Sequence, residues 1–134
     1  MGYRSDVVAL VYPDTDMDNP EEVQMLYDQL KVLMATTFKD TIDGTAGIDG
    51  FESYMHWMDA DRVLKFDLKD VKWYPDYADV QAFEKMLRAL DEDIVGYCTE
   101  FLRVGEDEDD TDTRRTGGNN QYYLSLSRSI NCNV

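Results

Sequence analysis

At 134 residues, with 43% hydrophobic and 12% aromatic content, the chain is long enough to bury one core without disulfide staples and too apolar to be largely disordered. Its 28 acidic against 13 basic residues give a formal net charge of -15, a field that repels DNA, RNA and anionic membranes and attracts basic protein surfaces, including those that hold nucleic acid. No apolar run approaches the roughly eighteen residues of a membrane span and the first residues lack a signal-peptide core, so a cytoplasmic protein is expected. Solubility or a high-salt habitat would ask for a similar composition.

Val7 to Tyr12, apolar and β-branched ahead of Pro13, predicts a central strand buried on both faces. Asp14, Asp16 and Asp18 follow in a loop, and Asn19-Pro20-Glu21-Glu22 reads as an N-cap, a first-turn proline and a capping-box glutamate. The helix they open should run to about Lys39, with Val23, Leu26, Tyr27, Leu30, Leu33, Met34 and Phe38 in one stripe. Residues 40–50 form a loop by composition; the spacing of Gly44, Gly47 and Gly50 fits no nucleotide fingerprint, and Asp40, Asp43 and Asp49 would repel phosphate. Phe51 to Met58 predicts a strand that turns through Asp59-Ala60-Asp61 into another over Val63 to Trp73, where Leu64, Phe66 and Leu68 alternate with Lys65, Asp67 and Lys69. Beyond Pro75, Asp76 or Asp79 should cap a second helix that buries Val80, Phe83, Leu87 and Leu90.

Two further strands, Val95 to Val104 and Gln121 to Ile130, predict a long hairpin with an anionic tip, since Glu106, Asp107, Glu108, Asp109, Asp110 and Asp112 lie between them. Tyr122, Leu124, Leu126 and Ile130 alternate with Tyr123, Ser125, Ser127 and Ser129, the period of a strand with one buried face. With Val104 opposite Gln121, Cys98 meets Ser127 and Cys132 sits about 16 Å further along, so both cysteines are expected as free thiols. The element order predicts one α+β domain over residues 1–134, a ferredoxin-like βαββαβ sandwich with an additional C-terminal antiparallel edge strand.

Reactive constellations are sparse. His56 is the only histidine, which removes Ser-His-Asp and most histidine-based metal sites, and nothing near Cys98 or Cys132 would lower a thiol pKa. Asp14-Thr15-Asp16-Met17-Asp18 has the alternating carboxylates of a calcium loop, but Asn19 stands where that loop needs glycine and Met25 where it needs a bidentate glutamate. Carboxylates are so abundant that a two-acid mechanism has no diagnostic spacing. No catalytic residue, metal or cofactor is assigned.

Gly2-Tyr3-Arg4-Ser5-Asp6-Val7, Lys72-Trp73-Tyr74-Pro75-Asp76-Tyr77 with Val80, Gly105-Glu106-Asp107 and Ser127-Arg128-Ser129-Ile130 together resemble a group of small phage and prophage proteins of uncharacterised function. The resemblance spans most of the chain and implies a viral setting; no catalytic motif comes with it.

The expectation is therefore a non-catalytic interaction protein whose anionic, DNA-mimic-like surface inhibits or sequesters a host nucleic-acid-handling or defence protein, itself contacting neither nucleic acid nor membrane. The acidic residues Glu106, Asp107, Glu108, Asp109, Asp110 and Asp112 form its first contact patch, unless Arg114 and Arg115 fold back on them. Trp73, Tyr74 and Tyr77 form a second, against the alternative of core packing at a strand end. The alternatives are a metal-dependent enzyme on a small or phosphorylated substrate and a virion or assembly accessory.

Overall fold

The computed structural model describes residues 3–16, 18–44, 50–107, 109–126 and 130–134. It is an α+β protein: a five-stranded antiparallel sheet and three α-helices, with a small two-stranded sheet formed by the C-terminal segment. At the centre is β1 (Ser5–Pro13), paired on one side with β3 (Val63–Val71) and on the other with β4 (Tyr97–Val104). Outside these lie β2 (Met55–Met58) and β5 (Thr111–Thr116), giving the order β2-β3-β1-β4-β5.

The unbroken apolar run of β1 is explained by the two layers it separates. Val7, Ala9 and Val11 face a core shared with α1 (Pro20–Ala35), α2 (Lys39–Asp43) and α3 (Ala78–Glu92), whereas Val8, Leu10 and Tyr12 face Cys98, Leu102 and Leu124 on the other side. The second layer is formed by residues 117–126 and 130–134, in which β6 (Leu124–Leu126) and β7 (Ile130–Cys132) pair antiparallel.

The helices follow their local signals. Asn19 caps α1, its Oδ1 accepting from the Glu22 N–H at 3.4 Å while its Nδ2 donates to Glu22 Oε2 at 3.2 Å, and Pro20 occupies the first helical position. The predicted stripe is buried at Val23, Tyr27, Leu30 and Met34, but α1 stops at Ala35 instead of continuing to Lys39. Thr36 ends it, with its hydroxyl donating to the Val32 carbonyl and its N–H to that of Leu33, and the chain restarts as α2. Val80, Phe83, Leu87 and Leu90 are buried on α3 as predicted, joined by Met86. Neither aspartate caps that helix: its N-cap is Tyr77, without a side-chain cap, and Asp79 Oδ1 accepts from the next residue's N–H at 2.8 Å.

Three strand expectations need correction. Phe51 is a buried core aromatic, Glu52–Tyr54 is a 3-10 turn, and only Met55–Met58 is strand. The Val63 strand stops at Val71, short of Trp73. The long hairpin from Val104 to Gln121 is not formed: β4 turns tightly at Gly105 and pairs with β5, Val104 opposite Thr111 and Thr99 opposite Thr116. Once β5 fills that edge, the described residues of the Gln121 to Ile130 run lie over the sheet face, where Leu124 is buried but Tyr122 and Leu126 are 66% and 42% exposed. Cys98 and Cys132 are both free, although the register behind that expectation is absent and its partner Ser127 lies outside the described residues. So do Gly47 and Asp49 of the glycine-rich loop.

Candidate functional site

The acidic turn between β4 and β5 is an internally bonded structure. Strand register sets Arg103 opposite Asp112, and the guanidinium donates to Asp112 Oδ2 at 2.9 Å and to both oxygens of Asp110 at 2.5 and 3.2 Å. Tyr3, from the other end of the chain, donates its hydroxyl to Asp110 Oδ2 at 2.6 Å and accepts the Asp107 N–H at 3.0 Å. Glu106 accepts the Arg4 N–H at 2.9 Å. Arg103, and after it Tyr3, holds the Asp110 carboxyl down at about 2. A Cβ at Gly105 would lie 2.2 Å from Asp110 Oδ2 and 2.3 Å from the Tyr3 hydroxyl, so a side chain there would displace both groups. Asp107 and Asp109 are exposed, and Glu108 lies outside the described residues. Arg114 and Arg115 do not fold back on the turn: Arg114 pairs with Glu84 on α3 and stacks 4.1 Å from the Phe101 ring, while Arg115 turns to the opposite face.

The fold brings two of the predicted acids beside two of the predicted aromatics. Trp73, Tyr74, Asp110 and Asp112 line one cleft of about 680 Å³, together with Lys85 and Arg88 of α3. Trp73 is 8% exposed and meets Phe51, Phe83 and Phe101, so most of its ring belongs to the core. Tyr74 accepts the Tyr3 N–H at 2.7 Å, tying the first described residue to the cleft wall. Tyr77 packs edge-on to Tyr74, at 4.9 Å between centroids, and stays outside the cleft.

A more one-signed surface lies at the opposite end of the sheet. β1 ends there beside the start of β4, Pro13 opposite Tyr97, and β2 turns into β3 with Met58 opposite Val63. α1 starts and α3 stops at that end, and the Asp14 N–H donates to the Gly96 carbonyl at 2.8 Å. The connections meeting there carry Asp14, Asp16, Asp18, Glu21 and Glu22, then Asp59 and Asp61, then Asp91, Glu92 and Asp93, with Arg62 as their only arginine or lysine. Asp18, Glu21, Asp61, Asp91, Glu92 and Asp93 are exposed and make no side-chain hydrogen bond or ion pair.

Sequence reasoning missed Glu100, which is wholly buried in β4 on the face covered by the C-terminal segment. Its carboxylate accepts from the Tyr12 hydroxyl at 2.7 Å and from the Tyr123 and Leu124 N–H groups at 3.1 and 3.0 Å, with Arg115 Nε 3.6 Å away. Arg115 also donates to the Leu124 carbonyl at 2.5 Å, and the Gln121 N–H donates to Tyr12 at 2.8 Å. Asp14 anchors the same segment, accepting from the Asn119 side chain and from the Asn119 and Gly118 N–H groups. Burial alone would raise its carboxyl, but these donors bring it below the usual carboxylate range. A glutamate with apolar residues around it in a strand, Tyr97 and Cys98 before it and Phe101 and Leu102 after it, was the available signal, since a charge in such a run must find buried partners.

Glu100 and Asp14 thus hold backbone in place instead of facing a cleft. His56 is exposed on β2 opposite Lys65, and Cys98 is buried with its thiol pushed up to about 12, first by burial and then by Asp14. Among the described residues no group of three or more His, Cys, Asp or Glu is placed to hold a metal ion, and no helix is long and apolar enough to cross a membrane. No protein-family model, curated protein or solved structure matches the chain.

Proposed function

We propose that the chain is a non-catalytic interaction protein of the phage type, which occupies the basic, nucleic-acid-binding face of a host protein. The carrying observation is the acidic end of the sheet, where ten carboxylates from three connections meet, Asp59 is paired with Lys31 of α1, and six make no internal hydrogen bond or ion pair. This end is a better docking surface than the β4–β5 turn, whose Asp110 and Asp112 are engaged by Arg103 and whose Glu106 is engaged by the Arg4 backbone. Complementary charge adds encounter rate and specificity to such a contact, and a partner built to hold phosphates presents arginine and lysine in the right density. The ferredoxin-like reading of the fold belongs to the same proposal. The observed strand sequence β4-β1-β3-β2, all antiparallel with α1 and α3 on one core, supports it, and β5 is then the added edge strand.

The test is capture from host lysate at low salt, followed by elution with duplex DNA. Proteins retained by the native chain and displaced by DNA should be lost when Asp18, Glu21, Asp61, Asp91, Glu92 and Asp93 are changed to their amides. They should persist when only Asp107 and Asp109 are changed. Retention indifferent to the six substitutions, or to DNA, overturns the proposal.

A further inference from the structure

A cleft of about 680 Å³ falls within the few hundred to about 1,000 Å³ typical of small-molecule sites. Its chemistry follows from which lining groups already have partners. Arg103 is held by Asp110 and Asp112, and Glu84 by Arg114, so these ions compensate one another within the wall. Lys85 and Arg88 make no ion pair or hydrogen bond. Three residues apart on α3, they share one face of that helix and line the cleft together. The floor between them and the paired acids is apolar, formed by the exposed edge of Trp73 with Tyr74, Pro75 and Val80.

The geometry points to a binding site for a small anion with a flat apolar body, whose ring lies along Trp73 and Tyr74 while its carboxylate or phosphate meets Lys85 and Arg88. The net charge of the chain does not forbid this. Connections 14–22 and 59–62 lie across the length of β1, nine residues or about 26 Å at 3.3 Å per step, against a screening length of about 8 Å at physiological salt, whereas Asp91 and Glu92 stand about one turn of α3 from Arg88. Of the acids that line the cleft, Asp110 and Asp112 are held by Arg103 and Glu84 by Arg114. Trp73 is fixed by three neighbouring rings and Tyr74 by its bond to the Tyr3 N–H, so the floor is formed before a ligand arrives.

Amide NMR on the full chain tests this with three probes of one shape: 1-naphthoate, 1-naphthyl phosphate and 1-naphthylmethylammonium. The two anions should shift the Trp73 indole N–H with saturable, one-site behaviour and leave the Trp57 indole unmoved; the stronger binder of the two identifies the preferred headgroup. The double variant Lys85→Gln/Arg88→Gln, at two exposed positions, should weaken anion binding at least tenfold while its spectrum elsewhere is retained. The ammonium probe binding as tightly as the anions, no Trp73 shift at millimolar probe, or affinity unchanged in the double variant would each overturn the site. These outcomes are read at Trp73 and are separate from the capture test, none of whose six substituted acids lines the cleft.

Discussion

Replacing Glu100 separates the two layers that β1 holds apart, because that one carboxylate joins β1, β4, β5 and the C-terminal segment. In Glu100→Ala the Tyr123 and Leu124 N–H groups lose their acceptor at a buried site, at about 1–3 kcal/mol each when taken singly. Arg115 also loses its counter-charge, and breaking one side of a buried pair typically costs about 3–5 kcal/mol. These losses overlap, since all pass through one group, so about 3–5 kcal/mol is the expectation for the whole. For a chain of this length that lowers Tm by about 10–20 °C. Glu100→Gln keeps one acceptor oxygen but aims an N–H at neighbours that are themselves donors, and should cost about 1–3 kcal/mol. The double variant Glu100→Met/Arg115→Met removes both charges, so it should recover part of the alanine loss, with the two orphaned N–H groups setting the remainder. Calorimetric melting gives the magnitudes, and hydrogen exchange gives the location. In Glu100→Gln the Tyr123 and Leu124 amides should lose protection well before those of β1 and β3. A Tm change below about 3 °C in both single variants, with these amides still protected, would refute the reasoning.

Two further outcomes follow from the titrating groups. Asp110 has its folded pKa held down at about 2 by Arg103 and Tyr3, so its contribution is complete above the ordinary carboxyl pKa of about 4 and disappears as pH falls towards 2. Urea midpoints for the native chain should therefore fall relative to those of Asp110→Asn between pH 4 and pH 2, and parallel profiles would show that the turn adds nothing. Burial and Asp14 raise the Cys98 thiol to about 12 while Cys132 sits half-buried near the chain end, so a thiol reagent at pH 8 should modify one cysteine in the native protein and two after denaturation. Two reactive thiols in the native state would mean that the C-terminal layer opens readily.

What could be read from the residues was whatever depended on near neighbours. The Asn19 cap, the two helical stripes and the doubly buried β1 each carry their signal within one or two turns or one strand, and each is found where it was read except for Phe38, which lies beyond the end of α1. β5 escaped because Thr111 to Thr116 has no apolar alternation; as an edge strand it is covered by arginine stems, Arg114 over Phe101 on one face and Arg115 towards Glu100 on the other. Missing it displaced the whole C-terminal segment from the sheet face to the sheet edge. The state of the acidic turn was equally hidden, since Tyr3 and Asp110 are 107 residues apart. Reading Gly105 to Asp110 as a tight turn would have set Arg103 against Asp112, and with it the compensation that a count of charges cannot reveal.

That compensation decides which charges can act at a distance. A carboxylate bonded to a guanidinium is a dipole to anything several ångströms away, whereas one whose neighbours are all acids adds its full charge to the local potential. On the proposed reading the densest acidic run in the sequence is therefore the weaker attractor, and three ordinary-looking connections, 14–22, 59–62 and 91–93, together make the stronger one. Strand direction alone produces this arrangement: β1 leads up to the first connection, β3 leads away from the second and β4 from the third, so an antiparallel sheet gathers them at one edge. The same directions send Tyr3, Trp73 and the β4–β5 turn to the opposite edge, where paired ions and an aromatic floor replace bare charge. Two surfaces of different chemistry thus occupy opposite ends of one small sheet and meet along α3, where Arg88 stands about one turn from Asp91 and Glu92.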